Sequence, residues 1–298
     1  MKIIKIFCQV DDFWKQFQLV WEKSLVEEGL IKKRRSCKLS MSEVMTIAIM
    51  FHFSRYRCFK DYYEKLVMKG YRKYFPSLVS YNRFTELMQT CAVPLAIFMT
   101  SQRLSKTQGI AFVDSTKLEV CENPRIAQHL VFADIAKRGK TSMGWFYGFK
   151  LHIVINHLGE ILSFCITTGN TDDRNPTVID QLTKGLWGKL YGDKGYISEP
   201  LRVKLREQGI ELVTKIKSNM KNKLLPLLDK LMLRKRALIE SVYDFLKNTC
   251  QIHHTRHRSK NNWFVNLVSG LVAYSFLPKK PTVKFASRTD FKQTLLLV

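Results

Sequence analysis

A chain of 298 residues with 46% apolar and 12% aromatic content has the material for one large or two modest cores, which excludes a mainly disordered polymer. Its 49 lysines and arginines outnumber 25 acids, and a formal charge of +24 would repel itself in a compact fold without a polyanionic partner. Nucleic acid is therefore the first partner implied and an anionic membrane surface the second. The membrane reading is the weaker, because the longest nearly continuous apolar stretch, 44–53, is about half of the roughly 20 residues a bilayer span needs. The run 263–277 is broken by Asn266, Ser269 and Gly270, and residues 1–12 carry too short an apolar core for a secretory signal. A cytoplasmic chain without a membrane partner is expected. Seven scattered cysteines without a C-x-x-C pair predict reduced, mostly buried thiols and no zinc site.

Residues 1–105 read as helical throughout, since apolar positions recur at spacings of three and four. Phe13, Phe17, Val20 and Trp21 form one stripe, Ser42 is the predicted N-cap of a helix through 53, and further helices are predicted over 60–69 and over 82–99, the last interrupted near Pro94. Between them lie basic and aromatic clusters: Lys32, Lys33, Arg34 and Arg35; Arg55, Tyr56 and Arg57; Tyr71, Arg72, Lys73 and Tyr74. One such cluster is an ordinary solvated face; three in a helical region of so basic a chain predict a DNA-binding domain over 1–105.

From Gly109 the periodicity becomes alternating. A short strand over 110–113 is predicted to end at Asp114, and a long one is marked by Trp145, Tyr147, Phe149, Leu151, Ile153 and Ile155 on a buried face, with Lys150 and His152 on the other. A turn at 157–160 leads into a strand over 161–167, and Asn175-Pro176 starts a helix. A strand at Leu190-Tyr191, a helix over 198–208, a strand over 211–214 and a long helix over 231–248 complete a mixed sheet flanked by helices in a domain of 106–285, leaving 286–298 as a tail with an unexplained apolar tip, Leu295 to Val298.

Two acids, Asp114 and Asp193, follow strands, where an Asp is ordinarily a turn former. A third acid, Glu240, lies mid-helix among cations, with Leu233, Arg236, Tyr243 and Lys247 along the same face. Arg236 and Glu240 alone are explained by an i,i+4 ion pair, which leaves Lys247 and the two strand acids unaccounted for. Three carboxylates brought together would repel one another unless divalent cations lay between them, and carboxylates with water suit Mg²⁺ or Mn²⁺. A pair of such ions stabilises both oxygens of a phosphodiester displacement, so the pattern points to phosphoryl transfer on nucleic acid. Residues 214–260 hold twelve lysines and arginines against three acids, as a DNA channel requires. His253, His254 and His257 have arginine neighbours that disfavour a cation, and read as packing or backbone contacts.

The chain resembles the DDE transposases of bacterial insertion sequences, a group with an RNase H-like catalytic domain and a Tyr-x2-Arg-x3-Glu-x6-Lys signature. Arg236, Glu240 and Lys247 match the signature in register, while its tyrosine position falls on Leu233; Tyr243, on the same face, is a candidate replacement hydroxyl. The resemblance extends over Val113-Asp114-Ser115-Thr116, Ala136 to Lys140, Gly148 to His152, Gly169 to Arg174 and Gly192 to Tyr196, in the family's order. It implies an RNase H-like mixed five-stranded sheet after an all-helical N-terminal domain, with Asp114, Asp193 and Glu240 as catalytic residues holding two Mg²⁺ ions, for which Mn²⁺ would substitute. It further implies DNA contacts by Arg236, Lys247, Lys150, Arg138, Lys194 and Arg256, and a homodimer that brings two element ends together. The partners implied are double-stranded DNA at the terminal inverted repeats and target DNA, in a nucleoid-associated bacterial protein. Asp172 and Asp173 are read as caps of the Pro176 helix. Two alternatives stay open: an RNase H-like nuclease or resolvase without strand transfer, and a non-catalytic DNA-binding protein derived from a transposase.

Overall fold

The computed structural model describes residues 2–29, 37–142, 144–215, 225–253 and 257–283. Expectations that fall on Lys32, Lys33, Arg34, Arg35, Lys217, Lys221, Lys223, His254, Arg256 and the tail 286–298 lie outside the described residues. The chain divides into two units, one comprising Met1–Arg103, Leu246–Ile252 and His257–Leu277, the other Leu104–Phe245, His253–Arg256 and Pro278–Val298. The division at Arg103 lies close to the expected boundary, but the helical unit also takes in segments expected in the catalytic domain.

Helices Lys2–Glu27, Met41–Phe51, Tyr81–Thr90, Ala92–Phe98 and Lys260–Ser275, with the helical run from Phe59 to Gly70, build the first unit. The Met41–Phe51 helix starts two residues earlier than expected, with Ser40 and not Ser42 as its N-cap. Ser40 Oγ accepts from the Glu43 amide at 3.2 Å and the Glu43 carboxylate accepts from the Ser40 amide at 2.7 Å, a reciprocal cap that leaves Ser42 buried inside the helix. All of this helix except Glu43 is buried, so the apolar run is core from Val44 through Phe51. The break expected near Pro94 falls at Cys91 instead, because Pro94 occupies the first turn of the next helix, where its missing amide needs no partner. Arg103 joins three segments: Nε donates to Ser275 Oγ at 2.9 Å, Nη1 donates to Gln9 Oε1 at 2.8 Å, and the guanidinium lies 3.9 Å over the Phe276 ring. Within the Lys260–Ser275 helix a Cβ at Gly270 would lie 2.4 Å from Ile252, so glycine permits that packing.

The second unit holds one sheet of β1 (Ile110–Cys121), β2 (Lys137–Thr141), β3 (Gly144–Asn156), β4 (Ile161–Thr168), β5 (Gly188–Gly192) and β6 (Ile210–Thr214). β3 runs antiparallel to β1, β2 and β4, whereas β5 runs parallel to both β1 and β6. β2 and β4 share one edge of β3, β2 along Gly144–Gly148 and β4 along Phe149–Ile155, so six strands fill five positions of the expected RNase H-like mixed sheet. β2 was not expected, since Lys137-Arg138-Gly139-Lys140-Thr141 shows no apolar alternation; as an edge strand it buries only Gly139. A Cβ at Gly139 would fall 2.0 Å from the Gly169 carbonyl oxygen, so the abutment of β2 on the end of β4 requires glycine.

Register assigns the faces. Ala111, Val113, Val154, Cys165, Leu190 and Leu212 pack under helices Pro176–Thr183 and Glu199–Glu207. Phe112, Asp114, Ile153 and Tyr191 alternate with these and point to the opposite face, which is covered by helices Leu227–Lys235 and Ala237–Asp244. The single helix expected over 231–248 is thus three segments: the two just named, with Arg236 between them, and Phe245–Thr249. The side of β3 expected to be solvated is covered too, and His152 is fully buried. Burial of Asp229 fastens the Leu227–Lys235 helix to β5: Lys189 Nζ donates to its carboxylate at 3.0 Å and Tyr191 Oη donates at 2.8 Å. Asp229→Ala strands the mostly buried Lys189 and is expected to destabilise the fold by about 3–5 kcal/mol in urea unfolding; an unchanged midpoint would show that the pair does not hold this helix.

Candidate active site

β1 continues past its parallel neighbour. Its pairing with β5 ends at Phe112 opposite Tyr191, while pairing with β3 carries on to Cys121. Asp114 therefore lies inside a twelve-residue strand, not at the end of a short one, at the point where β5 has stopped and its flank is open. Asp193 follows the last residue of β5 and caps the short turn of Lys194–Tyr196, accepting from the Gly195 amide at 2.7 Å. Two strands running in the same direction thus deliver two carboxylates to one end of the sheet, close enough for the charge of Asp193 to act on Asp114.

Arg236, at the break between the two helices, supplies the compensating charge. Nη1 donates to Asp114 Oδ2 at 3.0 Å and Nη2 donates to Glu240 Oε1 at 3.3 Å, so one guanidinium bridges the first and third acids. Glu240 is largely exposed, one turn along the helix. The intrahelical Arg236–Glu240 pair is therefore real, but Arg236 also reaches 122 positions back to β1. Leu233, at the signature's tyrosine position, is buried in the core. Tyr243 is buried as well, and its hydroxyl donates to the main-chain oxygen of Asp114 at 2.6 Å, with the Leu151 oxygen at 3.2 Å, so it is engaged with the sheet.

The remaining candidates are dispersed. Lys194 is exposed beside Asp193, and Arg138 is exposed on β2. Lys150 and His152 alternate with Ile153 and Leu151, which puts them on the face opposite Asp114. Lys150 Nζ donates to the Thr171 oxygen at 2.8 Å and to Asp173 at 3.0 Å, and His152 shares a hydrogen bond with Thr167 Oγ1 at 2.9 Å. Burial pushes the His152 imidazole down to about 4, so it is neutral at physiological pH. Asp172 and Asp173 do not cap the Pro176 helix: Asn175 does, accepting from the Thr177 amide at 3.0 Å. Asp172 instead holds Arg174, an ion pair that pulls its carboxyl down to about 2. Lys247 belongs to the helical unit, and Arg256 lies outside the described residues. The ion pairs of Asp173 and Asp229 were not foreseen; a single acid in a polar loop or on a helix carries no sequence mark of its distant lysine.

Asp114 and Asp193 suit a hard divalent cation, being oxygen donors with excess negative charge in partly buried surroundings. Among the described residues no three His, Cys, Asp or Glu side chains come together as a metal-binding group, and Glu240 is held through Arg236. The fit thus rests on two carboxylates, with Glu240 linked to Asp114 only through Arg236. Burial pushes the Asp114 carboxyl up to about 6 from 3.8, with Asp193 adding to the rise and Arg236 opposing it. The folded chain then binds this proton more tightly than the unfolded chain, so the contribution of Asp114 is most favourable below about pH 4 and is lost as pH rises through 6. In chelator-treated protein, Asp114→Asn is expected to gain stability relative to wild type between pH 4 and 6.5, by up to about 3 kcal/mol in urea unfolding; a pH-independent difference would contradict the burial of this charge.

Residues 104–260 match the family described as the transposase DDE domain. The structure is also similar to the cryo-EM structure of a piggyBac transposase synaptic complex with hairpin DNA, at 13% identity and a TM-score of 0.45, covering 98% of this chain and 76% of that one. No curated protein matches the sequence. With more than half of its length matched, the chain belongs to the transposase DDE domain family.

Proposed function

We propose that the protein is the DNA transposase of an insertion sequence, which nicks the element's terminal inverted repeats and joins the freed 3′-hydroxyl to target DNA. The observation that carries this reading is the convergence of Asp114 and Asp193 at one end of the sheet, with Arg236 linking Asp114 to Glu240. Asp114, Asp193 and Glu240 would hold Mg²⁺, or Mn²⁺ in its place, which supplies Lewis-acid stabilisation of the attacking and leaving oxygens of an in-line displacement. The protein's own side chains bind and orient. Arg236, which bridges Asp114 and Glu240, would present a forked donor to a phosphate beside the scissile bond. Lys194, exposed next to Asp193, suits a neighbouring phosphate, and Arg138 on β2 a more distant one. Lys247 and Arg256 extend the proposed contact set along the chain.

The +24 charge and the exposed basic residues of the helical unit, among them Arg72 and Lys73, support DNA binding over a longer track. Two ends must be held together for joining, which favours a homodimer. Among the described residues no helix is long and apolar enough to cross a membrane.

The test is to incubate the full chain with labelled element-end DNA and Mg²⁺ and resolve nicked and joined products. Asp193→Asn should abolish both products and leave end binding nearly intact, because it removes a ligand charge while the cations that bind DNA remain. Full cleavage by that variant would sink the assignment, and nicking without joining by the wild type would favour a nuclease. Affinity for the end duplex should also fall steeply with salt, since five phosphate contacts imply a slope near −4 to −5 in log affinity against log salt, at roughly 0.9 per phosphate; a flat response would remove the basic surface from the DNA path.

A further inference from the structure

The helix that carries Glu240 meets the strand that carries Asp114 through a buried hydroxyl. Tyr243 lies three residues beyond Glu240, and its Oη donates to the Asp114 carbonyl oxygen at 2.6 Å. Asp114 pairs with Ile153 across β1 and β3, and the Tyr243 hydroxyl also lies 3.2 Å from the Leu151 main-chain oxygen on β3. The hydroxyl therefore sits at the rung of the sheet that bears the first acid. Burial, and then the charge of Asp114, push its proton loss well above the ordinary tyrosine value, so it remains a donor at every working pH.

Two bonds thus link this helical segment to Asp114, and they differ in kind. Arg236 binds the carboxylate, the group a cation or a phosphate would compete for. Tyr243 binds the main chain, which no ligand of the site displaces. When Arg236 lets go, the Tyr243 bond persists, and with it the position of the helix against β1. Ile239 and Val242, buried on the same helix, pack it against the core.

We propose that Tyr243 is a positioning residue for the acid site: through the Asp114 main chain it fixes the helix of Glu240 at the separation the carboxylates need to close on a divalent cation. The proposal rests on the functional reading above and adds a residue outside the signature, whose own tyrosine position is the buried Leu233. Phenylalanine keeps the ring and its packing and removes only the hydroxyl with its bonds to the Asp114 and Leu151 main-chain oxygens.

The test uses the full chain and three variants. Tyr243→Phe should lower the turnover of end cleavage at saturating Mg²⁺ by roughly 10–100-fold, the penalty of a small misplacement of reacting groups. It should weaken Mn²⁺ binding in the absence of DNA several-fold, read from free Mn²⁺ by electron paramagnetic resonance, and leave the dissociation constant for end DNA unchanged. Val242→Ala, a buried truncation on the same helix, should lower the melting temperature yet keep wild-type turnover and Mn²⁺ affinity. Asp114→Asn should lose Mn²⁺ binding and cleavage together. Wild-type turnover and Mn²⁺ affinity in Tyr243→Phe would overturn the proposal, as would equal losses in Val242→Ala or failure of Tyr243→Phe to fold, either of which makes the bond one of general stability. A wild-type protein that neither binds Mn²⁺ nor cleaves overturns the functional reading first, and the proposal with it.

Discussion

Negative charge gathered at one end of a parallel strand pair is the constraint that orders the catalytic unit. Burial makes ionisation of Asp114 costly, the nearby Asp193 makes it costlier, and the guanidinium of Arg236 offsets part of that cost. Arg236 meets this demand from the junction of two helical segments, its own backbone still in the right-handed helical region. A guanidinium that must reach both β1 and the next turn of its own helix sits at the junction of two segments, with Asp114 on one side and Glu240 on the other. The Lys189–Asp229–Tyr191 cluster anchors the preceding segment to β5, so the helices that carry the cation and the third acid are referenced to the two strands that carry the first and second.

Much of this could be read from the chain. Alternation located β3, β4, β5 and β6, because each buries at least one apolar face, and it located the start of β1. It failed to extend β1 beyond Asp114, where Asp114, Ser115, Thr116 and Lys117 are polar and only their pairing with β3 keeps them extended. It missed β2 for the same reason, since an edge strand that buries only a glycine has no hydrophobic signature. The helix over 231–248 reads as continuous because its apolar spacing survives the interruption, which is a single residue, Arg236, whose backbone keeps helical angles.

The candidate site was legible as a set of residue types and less so as a geometry. The signature picked out Arg236 and Glu240, and the structure brings both into one network with Asp114. It could not tell which face of β3 carries Lys150, because register is fixed by neighbours: opposite Asp114 stands Ile153, which turns Lys150 and His152 away. Nor could it separate an exposed aromatic hydroxyl from a buried one. Tyr243 shares a helical face with Glu240 in the sequence, but that face passes from solvent at Glu240 to sheet at Tyr243 within a single turn.

The central claim is that Asp114, Asp193 and Glu240 form one divalent-cation site for which Arg236 is the charge partner in the metal-free chain. A crystal structure of the full chain with Mn²⁺ and an element-end duplex tests it most directly through anomalous scattering. The account predicts Mn²⁺ peaks between Asp114 and Asp193, Glu240 turned toward them, and Arg236 moved from Asp114 onto a DNA phosphate. Manganese bound elsewhere, with Arg236 still bridging Asp114 and Glu240 beside bound DNA, would contradict it.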